Sequence, residues 1–186
     1  MKLLKNRKIV IPIAVVVIFL ATLFGVHRSL NRIARDVEEM FYTGVPMELA
    51  TGTWPSINQH LRNLSLSIED NVTLYLNHSE LSGEANALIL AQRSLMDADS
   101  ISEKYLAYQS IQQTSTAFLS KAESVDLTED EWYPIKQYQT VFMGATGAIQ
   151  SSEYNVKARG FMDEVSFIAR LLRPIVFVTP PQVFDA

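Results

Sequence analysis

The residues best suited to chemistry are three histidines, His27, His60 and His78, in a chain without cysteine. No two of them stand in H-x-x-x-H spacing. None has a glutamate three residues before it, as carboxylate-bridged di-iron bundles require. The spacing reads all three as surface histidines, His27 beside an apolar run and His60 and His78 on polar helix faces. The absence of cysteine excludes disulfides, Cys-ligated zinc and thiol catalysis together. The acidic stretch from Asp97 through Asp99 to Glu103 alternates oxygen donors, but it lacks the glycine and the distal glutamate of a calcium loop. It reads as a turn between helices. Glu129-Asp130-Glu131 falls in the first turn of a helix, where negative charge meets the positive end of the dipole. Three sequons, at Asn63, Asn71 and Asn77, lie within helical pattern rather than loops. No phosphate-binding glycine loop and no nucleophile elbow is present. No catalytic, cofactor-binding or metal-ligating residue is assigned, and the chain reads as a non-enzyme.

The aromatic residues are the other candidates. Tyr105, Tyr108, Phe118, Tyr138 and Phe142 recur at helical spacing, which makes them core rather than a ligand cage. Trp54 and Trp132 flank helix starts. Trp132, beside Tyr133-Pro134, is a candidate partner contact, and so are Phe177 and Phe184 in the apolar C-terminal tail. Lys2, Lys5, Arg7 and Lys8 contribute +4 to a formal net charge of −4, leaving −8 on residues 9–186. An acidic body argues against a nucleic-acid partner, since phosphate neutralisation needs clustered Lys and Arg.

The element that must position everything else is the run from Ile9 to Val26. It holds no charge, no amide side chain and one hydroxyl, Thr22. As a helix it spans roughly 27 Å, near the hydrocarbon thickness of a bilayer. Pro12 falls in the first turn, where its missing N–H costs little. The exit, Phe24-Gly25-Val26-His27-Arg28, lacks a small-x-small cleavage site, so an uncleaved anchor is expected. The basic residues at positions 2–8 outnumber Arg28, Arg32 and Arg35 beyond the run. The positive-inside rule then places the N-terminus in the cytoplasm and the main domain outside it.

Beyond the anchor the pattern becomes amphipathic. Leu30, Ile33, Ala34, Val37, Met40 and Phe41 form one stripe, continuous with the anchor and ended by Thr43-Gly44-Val45-Pro46. A second helix is expected over residues 55–77, carried by Ile57, Leu61, Leu64, Ile68, Val72 and Tyr75 and widened by Leu66, Leu74 and Leu76. A third opens at Ser82-Gly83-Glu84 and faces Ala85, Leu88, Ile89, Gln92, Leu95 and Met96 inward. Ser100 with Glu103, and Thr128 with Glu131, form S/T-x-x-E capping boxes that open two more. The first of these is weakened at residues 112–116. The second carries Ile135, Tyr138, Phe142, Ala145, Ile149, Ser152 and Val156, continued in a slipped phase by Phe161, Val165, Ile168 and Leu172 until Pro174 stops it. No period-2 strand pattern precedes residue 175.

The fold class is therefore all-α, an N-terminal transmembrane helix followed by an antiparallel bundle of about four helices. The expected domains are a basic cytoplasmic tail at 1–8, the anchor at 9–26, the bundle at 27–173 and an extended apolar tail at 174–186.

Four places resemble the LemA family of membrane-anchored helical proteins: the basic tail with one span, Phe41-Tyr42-Thr43-Gly44-Val45, Ile57-Asn58-Gln59-His60-Leu61-Arg62-Asn63-Leu64, and Gln150-Ser151-Ser152-Glu153-Tyr154-Asn155 with the apolar tail through Phe184. Where the family shows a valine, then Phe-Asn, then Phe-Pro, this chain has Ala158, Phe161-Met162 and Ala169-Arg170; only Phe161 keeps the pattern, and the chain so resembles a divergent member. The resemblance implies a single-span anchor on an α-helical bundle with no established catalytic chemistry.

Two functions follow as expectations. The first is a non-catalytic scaffold or partner-binding module of the cell envelope, held to the bilayer by its span. Its partners would be membrane or envelope proteins or a second copy of the chain. The alternative is a ligand-binding sensor whose bundle signals through the helix that continues from the span.

Overall fold

The computed structural model describes residues 7–47, 51–161, 175 and 178–184. Among these the chain is helical, with no strand. It divides into two units, described separately below. One takes the described residues up to Glu38 with those from Lys157 to Pro181. The other takes residues from Glu39 to Val156 with those from Gln182 onward.

Helix α1, Arg7–Thr43, runs without a break through the apolar run and the amphipathic stripe after it. In the first unit, residues 11–22 are exposed along their whole length. The helix is long and apolar enough to cross a membrane. Exposure of so many aliphatic side chains around a whole helix is what a lipid-facing segment shows and a water-facing one does not. Two turns on, Leu30 and Ala34 pack with Phe161 and Val178 in a small core, against which Leu23, Val26 and Ile33 also lean. Val26, expected at the end of the anchor, is thus partly covered by protein.

The second unit is the bundle. Helices α2 (Ile57–Val72), α3 (Ser82–Asp97), α4 (Ile101–Glu123) and α5 (Glu129–Gln150) follow one another through short connections, with a 3-10 turn, Thr73–Tyr75, extending α2. α2 packs chiefly on α5, and α3 on α4. Cross-helix pairs run in opposite senses: Tyr108 meets Thr146 and Ser115 meets Tyr138, so α4 and α5 are antiparallel. Leu64, Ile68, Val72, Leu88, Ile111, Phe118 and Tyr138 are fully buried in the shared core. Each such aliphatic or aromatic side chain contributes about 1.5–3 kcal/mol by leaving water.

Caps decide where these helices begin. Ser100 and Thr128 each accept from the backbone of the glutamate three residues on, and each glutamate accepts from its cap in return. The capping boxes expected from sequence are both formed. α2 starts later than residue 55, because Ser56 is the cap: its backbone is extended and its Oγ accepts from Gln59 N at 3.0 Å.

Several expectations give way to packing. The polar stretch at residues 112–116 does not interrupt α4. Thr114, Ser115 and Thr116 turn their hydroxyls back onto the carbonyls of Ser110, Ile111 and Gln112, and so satisfy themselves inside the helix. Met96 does not face inward, and Leu66, Leu74 and Leu76 do not widen the core; all four are exposed. The helix expected to run through residue 156 ends at Ser151, whose N–H and Oγ both close on Gly147 O, at 3.1 and 2.9 Å. A new helix, α6 (Glu153–Gly160), starts with Ser152 Oγ accepting from Tyr154 N at 3.2 Å. The restart resets the phase. Tyr154, Asn155, Ala158 and Phe161 are buried, while Val156, assigned to the earlier stripe, is exposed.

Between α1 and α2 the loop doubles back on itself. Met47 N donates to Gly52 O at 3.0 Å and Trp54 N to Val45 O at 2.7 Å, pairing Pro46 with Thr53. Gly44 makes this return feasible. Its φ is +91°, and a Cβ there would collide with the carbonyl oxygen of Trp54.

Candidate functional site

Two features of the bundle unit bring together residues from distant parts of the sequence. The first is a cleft of about 410 Å³ bounded by Met40, the Trp54-Pro55 end of the loop, His60 of α2, Ala148 of α5 and Tyr154 of α6. Gly44 shapes one wall by letting the loop carry Trp54 across, and the break at Ser151-Ser152 opens the other. Most of the lining is apolar. Trp54 is 52% exposed and stands at its edge. His60, read from sequence as a surface residue, is half-buried here, and burial pushes its imidazole below the ordinary value. Ser151 is committed to Gly147 O, and Ser152 Oγ to Tyr154 N. The cleft thus offers an aromatic edge, an imidazole whose charged form burial disfavours and an apolar floor. Such a set suits binding rather than bond-breaking.

The second feature is an aromatic slot that holds the end of the chain. Phe184 is 1% exposed. Its ring lies 5.4 Å from Phe41, 5.3 Å from Tyr105 and 5.7 Å from Tyr108, between centroids. Asn155, itself buried, reads the Phe184 main chain from both sides. Phe184 N donates to Asn155 Oδ1 at 3.0 Å, and Asn155 Nδ2 donates to Phe184 O at 3.1 Å. Tyr154 donates its phenolic hydroxyl to Gln182 O. Ser102 N and Oγ both donate to Gln182 Oε1, each at 3.1 Å. Three residues of extended chain are therefore held by two side chains at the start of α6 and by the first turn of α4. The edge-to-face ring of Tyr154 on Phe41 at 5.5 Å joins the slot to the end of α1.

No protein-family profile, no curated protein and no solved structure matches the chain.

Stretches far apart in the sequence meet around these two features. Phe41 and Gly44, His60, and Tyr154 with Asn155 all line one or the other. The candidate partner contacts fare differently. Phe184 is not available to an outside partner in this arrangement, because its own chain takes it up. Trp132 is half-buried near the start of α5, next to the exposed Tyr133. Phe177 lies outside the described residues, as do Val165, Ile168, Leu172 and the basic tail at residues 2–6, and nothing is described of the Ile9 side chain.

The other histidines settle locally. His27 Nε2 lies 2.9 Å from Asn31 Nδ2. His78 Nδ1 accepts from Glu80 N at 3.2 Å and its Nε2 lies 3.9 Å from Glu131 Oε1. Among the described residues no group of three His, Asp or Glu side chains is placed to hold a metal. What the sequence did not reveal was the clasp itself. Its only signal there was an asparagine following a tyrosine, in the phase that the uninterrupted helix would have turned away from the core.

Proposed function

We propose that this protein is a single-pass membrane protein of the LemA type. Its helical bundle acts outside the cytoplasm as a non-catalytic scaffold or partner-binding module of the cell envelope. The observation that carries this reading is the uninterrupted exposure of residues 11–22 on α1, an apolar surface with no protein cover. Tethering is the mechanism. One span confines the bundle to two dimensions and raises its effective concentration beside other membrane proteins. The basic residues at positions 2–8 favour a cytoplasmic N-terminus.

Topology is the test. Single cysteines at Asn6 and at Ser124 are probed on intact cells with a membrane-impermeant maleimide, in a chain with no other thiol. Ser124→Cys is expected to label at once and Asn6→Cys only after lysis. The reverse pattern would place the bundle in the cytoplasm and refute the envelope role.

The cleft favours a second reading, a ligand-binding sensor that signals through α1. Its volume and apolar floor suit a small amphiphilic molecule. With Trp132→Phe, Trp54 is the sole tryptophan. An anilinonaphthalene sulfonate probe should then quench its emission saturably, and Ala148→Phe should abolish binding by filling the cleft without adding a tryptophan. A linear, unsaturable response would remove this reading.

A further inference from the structure

We infer that Arg28 and Arg32, on one face of α1 just beyond the apolar run, form a binding site for the phosphodiester headgroup of an anionic phospholipid. The inference rests on the reading of α1 as a membrane span and goes beyond it by naming the lipid held at the exit. It holds for either orientation of the chain.

Charge is unevenly placed along α1. Residues 27–35 hold Arg28, Arg32 and Arg35 and no acidic residue, in a chain whose residues from 9 onward sum to −8. The first carboxylate after the apolar run is that of Asp36. Arg28 and Arg32 stand four residues apart, so they are neighbours on one face, and both are exposed. Leu30 and Ala34 turn the opposite face of the helix into the small core of this unit. Packing therefore leaves the arginine face uncovered. Among the described residues Arg28 has no ion-pair partner. Arg32 meets Asp36 only at 3.7 Å, with the two side chains 80% and 59% exposed. An exposed pair of that kind contributes little and yields to a better acceptor.

Height along the helix selects the acceptor. α1 continues unbroken from the apolar run, so the rise per residue sets how far each side chain starts from the hydrocarbon. Arg28 stands about 3 Å beyond Val26 along the axis, and Arg32 about 9 Å. The headgroup layer on one side of a bilayer is about 5–8 Å deep. Helical side chains lean toward the N-terminus, which for these two means back toward the span. Both guanidiniums thus reach down to the phosphates while their methylene stems lie along the helix. Arg35 starts about 13.5 Å beyond Val26, above the layer. Its Nε is engaged, donating to Asn31 O at 3.2 Å.

The same face has room for the headgroup. Arg28 and Arg32 line a groove of about 360 Å³ together with Gly25, Ser29, Ile33 and Asp36. At Gly25 a Cβ would meet nothing within 4 Å, so a headgroup can approach the helix beside the guanidiniums. Each guanidinium presents a planar fork of donors that matches a pair of phosphate oxygens. The one carboxylate in the groove, Asp36, lies at the end away from the membrane.

Lipid retention by the purified full-length chain tests this. Lys2, Lys5, Arg7 and Lys8 are first replaced by glutamine, which silences the other basic cluster. This parent chain is equilibrated in nonionic detergent with equal amounts of phosphatidylglycerol and phosphatidylcholine of identical acyl chains. Native mass spectrometry then counts the lipids retained. Phosphatidylglycerol should be preferred by about fivefold for each arginine in the site. With Arg28→Gln and Arg32→Gln together, the two lipids should be retained equally. Arg28→Gln and Arg35→Gln remove the same charge at different heights; the first should lower the preference and the second leave it intact. Equal retention of both lipids by the parent chain would overturn the proposal. So would a preference that survives loss of Arg28 and Arg32, or one that falls as far with Arg35→Gln as with Arg28→Gln, since net charge rather than a site would then be at work. Flotation with neutral phosphatidylcholine vesicles separates this result from failure of the span. A chain that floats without a lipid preference refutes the headgroup site alone, and one that does not float refutes the span and the site with it.

Discussion

At the level of single residues, the core of the bundle shows how a buried polar pair constrains its neighbours. Ser115 is fully buried and donates its hydroxyl to Ile111 O at 2.5 Å, so the proton between Ser115 and Tyr138 comes from the tyrosine. Burial pushes the Tyr138 phenol well above its ordinary value, and the bond to Ser115 opposes that only in part. The phenol is a neutral donor at every pH the protein meets. The two deletions are therefore unequal. Ser115→Ala strands a buried phenolic O–H without an acceptor and should cost about 1–3 kcal/mol. Tyr138→Phe removes the donor and leaves Ser115 still bonded to Ile111 O, and should cost about 1 kcal/mol or less. Urea unfolding of the full chain measures both, and equal losses would show that Ser115 does not hold the tyrosine. The pair was only half legible in the sequence. Tyr138 announced itself through a helical repeat, whereas Ser115 sat in a polar run that looked like a weak point.

Among the elements, the most legible features were those encoded within four residues. A capping box states its partners in its own spacing, and both boxes formed as expected. They also carry a pH signature. The Glu103 carboxylate is held below its ordinary value of 4.5, first by the N–H of Ser100, then by that of Asp99, then by the Ser100 hydroxyl. Glu131 is held low first by the Thr128 hydroxyl and then by the Thr128 N–H. A carboxyl group with a lower folded than unfolded pKa contributes stability that is complete above the unfolded value and is lost as pH falls through the folded one. The loss from both caps therefore begins near 4.5 and continues below it. Glu103→Gln with Glu131→Gln should flatten the acid limb of thermal midpoint against pH while lowering the plateau above it. An unaltered acid limb would mean the caps are not what titrates. The break between α5 and α6 was less legible, because Ile149, Ser152 and Val156 keep helical spacing straight across it. Only the double closure of Ser151 on Gly147 shows where the repeat stops being one helix.

For the molecule as a whole, composition proved a better guide than local pattern. The all-α bundle and the long apolar helix could both be read from repeats summed over many residues. The docking of Phe184 could not, because a contact between the end of the chain and Asn155 leaves no period in either stretch. The apolar segment also yields the prediction with the widest consequence. Residues 11–22 make no core of their own, and Val16 and Phe19 are 55% and 51% exposed. Charging them removes nothing from the packing of either unit. An arginine at the centre of a span costs about 2.5–3.5 kcal/mol on insertion scales, so Val16→Arg with Phe19→Arg opposes insertion by about 5–7 kcal/mol. The double variant should move from the alkali-washed membrane pellet to the soluble fraction or be degraded. Purified in detergent, it should keep its helical circular dichroism and its unfolding midpoint. If it instead stays in the washed membranes with normal abundance, lipid contact by α1 is not what holds the protein there. The exposed apolar face would then need a protein partner to cover it.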